Sequence, residues 1–305
     1  EQGADWYADD NDISRLPETT RISLSGAELP DVPVLNRVAP RNALADDELP
    51  DSIDWRSKDG QDWLSPIKHQ GQCGSCVAFA SIGIVESLVK IANANPDYET
   101  DLSESHIYFC NGRNCTNQQG WYLSAAADAL KDTGVADDAC FPYEPENLSC
   151  GSKCSDWESR LTSIVSWNYV LTDTNAIKNA LLQGPVLGRM EVYEDFFYYD
   201  DGVYERVNNN HQGGHAIGIV GYDEVGGYWI VRNSWGENWG MDGYAYVKYG
   251  EVSIDEYVIA MQLTDTPAGV TTQLNKQSTP VPSSGNAQVL VTCAANGAVT
   301  STEIR

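Results

Sequence analysis

Gln70-Gly71-Gln72-Cys73-Gly74-Ser75-Cys76-Val77-Ala78-Phe79 joins a glycine-rich loop to an apolar-periodic segment. From Ser75 to about Ala92, Phe79, Ile82, Val85, Leu88 and Val89 recur at intervals of three and four, which predicts a helix. Cys76 therefore falls at the helix start. Backbone N–H groups and the helix dipole there favour a thiolate over a thiol, and a nearby imidazolium would favour it further. The thiolate is the attacking species, so the position suits a nucleophile. The competing reading is a structural thiol, and the location argues against it.

A thiolate needs a proton partner. The chain holds four His: His69, His106, His211 and His215. His215 stands in Gly213-Gly214-His215-Ala216-Ile217-Gly218, at the head of an apolar strand and 139 positions after Cys76. A lone His is ordinarily a satisfied core residue, but the Gly pair before it argues for close approach of another backbone or a ligand. The base needs an orienter. Asn233 ends the next strand, in Val231-Arg232-Asn233-Ser234-Trp235-Gly236-Glu237-Asn238-Trp239-Gly240. Its amide accepts an imidazole N–H without adding charge, and Trp235 is placed to keep water off that bond. Gln70 precedes Cys76 by six residues, and its NH₂ with the Cys76 backbone N–H makes a candidate oxyanion hole.

Outward from this core, Ser103–Cys110 and Trp121–Thr133 also read as helices, the second ended by Gly134. After about residue 160 the texture becomes strand-like, apart from a short helix near Asn175–Gln183. Val186–Met190, Ala216–Tyr222, Tyr228–Arg232, Gly243–Val247 and Tyr257–Gln262 are β-branched or aromatic runs broken by Gly. A helix-rich half followed by a β-rich half gives an α+β class. Residues 1–48 are acidic, show no helical period, and contain Leu29-Pro30-Asp31-Val32-Pro33 and Arg37-Val38-Ala39-Pro40, which read as extended chain. They are either a loose tail or a pro-segment lying along the body. Residues 264–285 read as a polar linker. Val289–Thr292 and Val299–Thr302 flank Asn296-Gly297 as in a hairpin.

The 305 residues are 42% apolar and 21% charged, enough to bury a core. A net charge of −25 would be repelled by a phosphate backbone, so no nucleic-acid partner is expected. It reads as a solvated surface, with a saline or extracellular habitat as the second reading. No run of eighteen apolar residues exists, so no membrane span is expected. Glu1 follows no Met or apolar leader, so any signal peptide is expected to have been removed. Seven of the eight Cys lie between residues 73 and 154, which favours disulfides and an oxidising compartment, secreted or lysosome-like. Zinc is the competing reading; Cys73 and Cys76 form one C-x-x-C with no second, and no His pair stands among these cysteines. No metal or organic cofactor is implied.

The motif from Gln70 to Cys76, the Gly214-His215-Ala216-Ile217 strand and Asn233-Ser234-Trp235-Gly236 through Trp239-Gly240 together resemble the papain family of cysteine peptidases. Leu49-Pro50-Asp51-Ser52-Ile53-Asp54-Trp55-Arg56 resembles the start of a mature member. The resemblance covers about 49–263. It implies a two-lobed fold, a helical lobe and a β-barrel-like lobe with the cleft between them, flanked by extensions at 1–48 and 264–305. It implies Cys76 attacking a peptide carbonyl, with His215 as base, Asn233 as orienter and Gln70 at the oxyanion. It further implies a substrate-binding set of Gly74, Gln118, Gly120, Arg189, Gly214 and Trp235. The resemblance pairs Cys73 with Cys115 and Cys110 with Cys150. Ala139-Cys140-Phe141-Pro142-Tyr143 is similar to dipeptidyl-peptidase-I-like members, which implies Cys140–Cys154. Cys76 then stays free and Cys293 is left over.

The chain departs from the family pattern at several places. Val77 stands where Trp is usual. Thr116-Asn117-Gln118-Gln119-Gly120 replaces a glycine pair, so Gln118 takes the substrate-binding glycine's place if the register holds. Arg189 aligns with a wall of the main specificity pocket; it is either a solvated strand residue or an inward group that favours acidic or polar substrate side chains. No His-rich occluding loop and no long helical pro-segment is present in the sequence given. The expected activity is hydrolysis of protein or peptide substrates by a monomeric endopeptidase, self-inhibited by residues 1–48. One alternative is an aminodipeptidase with one cleft end blocked by a terminal extension. The other is a non-catalytic binding homologue, against which the retained Gln70, Cys76, His215 and Asn233 argue.

Overall fold

Helix α2 (Cys76–Ala92) is apolar around most of its circumference: Val77, Ala78, Phe79, Ile82, Ile84, Val85 and Leu88 are all buried. A helix of that kind has to be wrapped on several sides. In this computed structural model, α3 (Glu104–Phe109) and α4 (Leu123–Asp132) cover one side, and Leu187, Ala216 and Ile259 from a sheet cover another. The structure describes residues 5–29, 36–40, 42–116 and 120–263, and the backbone of 290–295 and 298–303. Ser103 caps α3 by accepting the His106 N–H, and Gly134 at φ +80° follows the end of α4. Helix α5 (Thr174–Leu181) is capped by Asp173.

The sheet is built from β1 (Trp6–Ala8), β2 (Arg37–Val38), β3 (Ser52–Asp54), β4 (Ser166–Val170), β5 (Val186–Tyr193), β6 (Tyr199–Tyr204), β7 (His211–Asp223), β8 (Tyr228–Arg232), β9 (Tyr244–Lys248) and β10 (Tyr257–Gln262). Its order is β1-β6-β9-β8-β7-β5-β10-β4-β2, with β3 attached to β7. The β8 and β10 bounds are those read from sequence. The sheet does not close, which corrects the expectation of a barrel-like lobe. Its two ends, β1 and β2, are three- and two-residue strands that blunt the edges instead of pairing with each other. Behind it lies an aromatic core that includes Phe196, Phe197, Tyr199, Tyr204, Trp229, Trp235 and Trp239.

Residues 5–29 hold a helix where the sequence shows no helical period. Helix α1 (Glu18–Ser23) follows Pro17, whose φ of −53° suits a helix start. Six residues span less than two turns, too few for a periodic signal. Arg21 ties α1 back to Ser14 O (2.8 Å) and holds it to the body through Tyr198 Oη (3.1 Å) and Glu194 (3.6 Å). Residues 30–33 of the expected extended run lie outside the described residues; Arg37 and Val38 form β2.

Among the described residues, three disulfides tie the loops around the helices: Cys73–Cys115, Cys110–Cys150 and Cys140–Cys154. A second compact unit, Thr266–Arg305, contains β11 (Leu290–Ala295) and β12 (Ala298–Glu303), paired antiparallel. Cys293 lies opposite Thr300 in that ladder. The turn Asn296-Gly297 and the linker read at 264–285 lie outside the described residues.

One buried ion cluster joins α2 to α3. Lys68 Nζ donates to Glu86 (3.2 Å), Asp101 (2.7 Å), Glu104 (2.9 Å) and the Leu102 carbonyl (3.3 Å). Burial still pushes Glu104 up to about 8. Removing the cation leaves two buried carboxylates without their ammonium. Lys68→Met is expected to lower unfolding free energy by about 3 kcal/mol or more. Urea unfolding monitored by tryptophan fluorescence measures it, and a loss below about 1 kcal/mol would mean the cluster behaves as a surface pair.

Candidate active site

Cys76 is the first residue of α2, and it is a free, fully buried thiol. The backbone N–H groups of Ala216, Gly26 and Val77 face the sulfur, and Gly26 N donates to Sγ at 3.3 Å. Burial pushes the thiol pKa up; the three amides and the Arg189 charge pull it down without cancelling that push.

His215 lies on β7, buried beneath Trp235 with ring centroids 4.7 Å apart. Its Nε2 is 2.8 Å from Asn233 Oδ1. The Ser234 backbone N–H donates to the same Oδ1 at 2.8 Å. A backbone amide only donates, so that atom is an oxygen and the ring must donate through Nε2. Nδ1 then carries the lone pair, and it has no hydrogen bond of good geometry among the described residues. Burial drives the ring's pKa down to about 4, although the Asn233 bond and the nearby Leu24 carbonyl favour the charged form. His215 is therefore neutral at neutral pH.

Gln70 is fully buried. Its Oε1 accepts the Ser234 hydroxyl at 2.7 Å, which turns Nε2 toward the carbonyls of Cys73 (2.8 Å) and Leu24 (3.1 Å).

Leu24 belongs to the N-terminal segment, which threads this site. β1 pairs antiparallel with β6, Asn11 and Asp12 bond to Phe197 O and Asn238, and the chain passes through α1 into the run Leu24–Glu28. There the Ala27 N–H donates to Gly214 O (3.0 Å), and Arg189 Nε donates to Ala27 O (2.9 Å). Trp121 N–H donates to Gly26 O (2.7 Å) and Glu28 N–H to Trp121 O (3.0 Å), a parallel bridge centred on Ala27. Glycines make room for it. A Cβ on Gly26 would lie 2.3 Å from Gly74 O, and one on Gly214 would lie 2.2 Å from Ala27 O. A Cβ on Gly120 would lie 2.9 Å from Gly26 O.

The structure thus brings Gln70, Cys76, His215 and Asn233 into one buried constellation, and sets Gly74, Gly120, Gly214 and Arg189 along the segment's track. Trp235 is buried over His215, against Phe197 and Trp239. Gln118 lies outside the described residues. Sequence reading missed Leu24, Gly26 and Ala27, whose contacts run through the backbone. It also missed Ser234, which bonds both Gln70 and Asn233. The small Ser25-Gly26-Ala27 run was the only available signal for the threading residues.

A family model described as "Papain family cysteine protease" matches residues 49–264. Cathepsin B-like CP3 of Giardia intestinalis is 33% identical over 235 residues, 72% of this chain and 77% of the relative. Pro-cathepsin H of Bos taurus is 34% identical over 213 residues, 66% of this chain and 61% of the relative. Among solved structures, the digestive procathepsin L2 of Tenebrio molitor larval midgut superposes with a TM-score of 0.73 at 27% identity, covering 85% of each chain.

The Gly26–Gly74 packing tests what covers the thiol. Gly26→Val is expected to unseat the run Leu24–Glu28 and to speed alkylation of Cys76 near pH 6 by roughly tenfold or more, the factor set by one overpacked contact. Intact mass and peptide mapping read the rate; a rate equal to the parent's would mean that the segment does not shield the sulfur.

Proposed function

The chain belongs to the papain family of cysteine proteases, and from that premise we propose that it is an endopeptidase held closed by its own N-terminal segment, with Cys76 as nucleophile. One observation carries this reading: a continuous stretch of chain crosses the sulfur, bonded to Tyr198 and Phe197 before it and to Trp121 after it. A cleft that admits backbone on both sides of the nucleophile suits cuts inside a chain. An aminodipeptidase would need one end blocked, and no contact described above favours that. We assign residues 1–48 to the inhibitory segment, 49–263 to the peptidase body and 264–305 to an extension of unassigned role.

Once the segment leaves, water and substrate replace the burial that keeps Cys76 a neutral thiol. Nδ1 of His215 is the basic nitrogen and takes the thiol proton; the α2 N-terminus supports the thiolate. The sulfur attacks the peptide carbonyl, and the oxyanion takes the place of the Leu24 carbonyl on Gln70 Nε2, with the Cys76 backbone N–H as second donor. His215 returns its proton to the leaving amine, and water then hydrolyses the acyl-enzyme. Every group comes from one chain, which supports action as a monomer. The disulfides fit an oxidising compartment, and no helix among the described residues is long and apolar enough to cross a membrane. We take the compartment to be secreted or lysosome-like.

Active-site titration with an alkylating agent, before and after cleavage near Leu49, is the test. In the closed chain the rate should stay low at acid and neutral pH and rise only on the alkaline side, because burial raises the thiol's pKa and His215 is neutral above about 4. After cleavage one fast label should appear on Cys76 near pH 6, together with internal cuts in a denatured protein. Release of N-terminal dipeptides alone would overturn the endopeptidase reading. Absence of any fast label after cleavage would overturn the nucleophile. In the cleaved enzyme, Gln70→Ala is expected to lower kcat by about a hundred- to a thousandfold, read on an internally quenched peptide; a loss under tenfold would remove Gln70 from the oxyanion role.

A further inference from the structure

Arg189 is the cation built into the cleft, and its bonds are divided in an informative way. It is 4% exposed. Nη1 donates to Glu191 Oε1 at 2.8 Å, and Glu191 in turn meets His211 at 2.7 Å. Burial pushes Glu191 up, but the hydrogen bonds from Arg189 and His211 outweigh it and hold its carboxyl below the ordinary value. So Glu191 stays ionised and anchors one corner of the guanidinium. The opposite edge, Nε and Nη2, faces the track of the N-terminal segment. Nε donates to Ala27 O at 2.9 Å, and Nη2 lies beside it on the same edge, next to Gly214. The edge reaches the track because residue 214 is glycine: a Cβ there would lie 2.1 Å from Nη2. Tyr257, opposite Arg189 in the β5–β10 ladder, places its ring centroid 5.9 Å from the guanidinium carbon.

When the segment leaves, Nε loses the Ala27 acceptor while Nη1 keeps Glu191. Two parallel N–H donors are then left facing the recess that Ala27 filled, next to the residue whose N–H touches Cys76 Sγ. Two parallel donors on one guanidinium edge match the two oxygens of a carboxylate, a pairing that a Lys or a neutral side chain does not reproduce. A purely structural Arg would have this edge satisfied by the body of the protein rather than by a displaceable segment. Resting on the peptidase reading above, we propose that Arg189 makes this enzyme select substrates with an Asp or Glu side chain one or two residues from the scissile bond. Glu191 anchors the guanidinium and also competes for it, so it limits the strength of that selection.

The test uses the full chain after cleavage of its N-terminal segment, at pH 6, where substrate carboxylates are ionised. A mixed peptide pool is digested and the cut sites are read by mass spectrometry. A matched pair of internally quenched peptides, differing only as Glu against Gln at the enriched position, then gives a ratio of kcat/KM. The ratio is expected to be about tenfold in favour of Glu, the size of one charge-assisted pair. It should fall to about one in Arg189→Met, take an intermediate value in Arg189→Lys and rise in Glu191→Gln. A Glu-to-Gln ratio near one in the unaltered enzyme overturns the proposal without any variant having to fold, and so does a ratio that survives Arg189→Met. If no peptide is cut and Cys76 takes no fast label, the peptidase reading itself fails, an outcome distinct from cutting without acidic preference.

Discussion

The oxygen of the Asn233 side chain accepts two hydrogens, one from the Ser234 backbone and one from His215 Nε2. The first bond fixes which end of the amide is oxygen. The second then fixes the imidazole tautomer, since an oxygen acceptor forces Nε2 to carry the proton. Everything proposed for the chemistry follows from the lone pair left on Nδ1. Ser234 extends the constraint to the other side of the site, because its hydroxyl holds Gln70 Oε1 and so turns Nε2 toward the carbonyl it binds. One dipeptide, Asn233-Ser234, thus orients His215 and Gln70 together. Burial under Trp235 keeps water from competing for either bond.

Burial also explains why the proposed closed form would be quiet. A thiolate–imidazolium pair needs solvent or fixed dipoles to carry its charge. The threaded segment removes the solvent, and the remaining dipoles at Cys76 do not compensate: the thiol is held above its ordinary pKa and the imidazole down at about 4. Both shifts have the same first cause, burial, and both favour the neutral pair. The segment therefore acts on the protonation state of the site as well as on access to it.

Much of this was readable in the sequence because it rests on periodicity and on side-chain chemistry. The apolar repeat beginning at Phe79 marks α2, and the runs at Tyr228–Arg232 and Tyr257–Gln262 mark two strands to the residue. What escaped has no such signature. Helix α1 is shorter than two turns and is held by Arg21 reaching Tyr198 and Glu194, far along the chain. The threading of Leu24–Glu28 is made of backbone bonds, and those say nothing of residue identity except where a glycine is required. The Gly213-Gly214 pair did point to a close backbone approach, but the approaching backbone, Ala27, comes from the opposite end of the chain. The openness of the sheet depends on which short strands reach its edges, a tertiary outcome that strand patterns alone do not determine.

The segment lies across the proposed nucleophile and turns an N–H toward it. Attack requires one carbonyl to be held by the oxyanion donor while its carbon faces the sulfur. Here those two places are filled by different residues: Gln70 Nε2 holds the carbonyl of Leu24, while Sγ meets the N–H of Gly26. The sulfur faces a hydrogen-bond donor where a substrate would offer an electrophilic carbon. The parallel bridge to Trp121 carries the same polarity, bonding the residues on either side of Ala27 rather than exchanging both bonds with Ala27 itself. A substrate threaded with the opposite polarity would exchange donors for acceptors along the track and present a carbonyl carbon to the sulfur. Chain direction in the cleft is thus a difference that would separate the proposed inhibitory segment from a substrate.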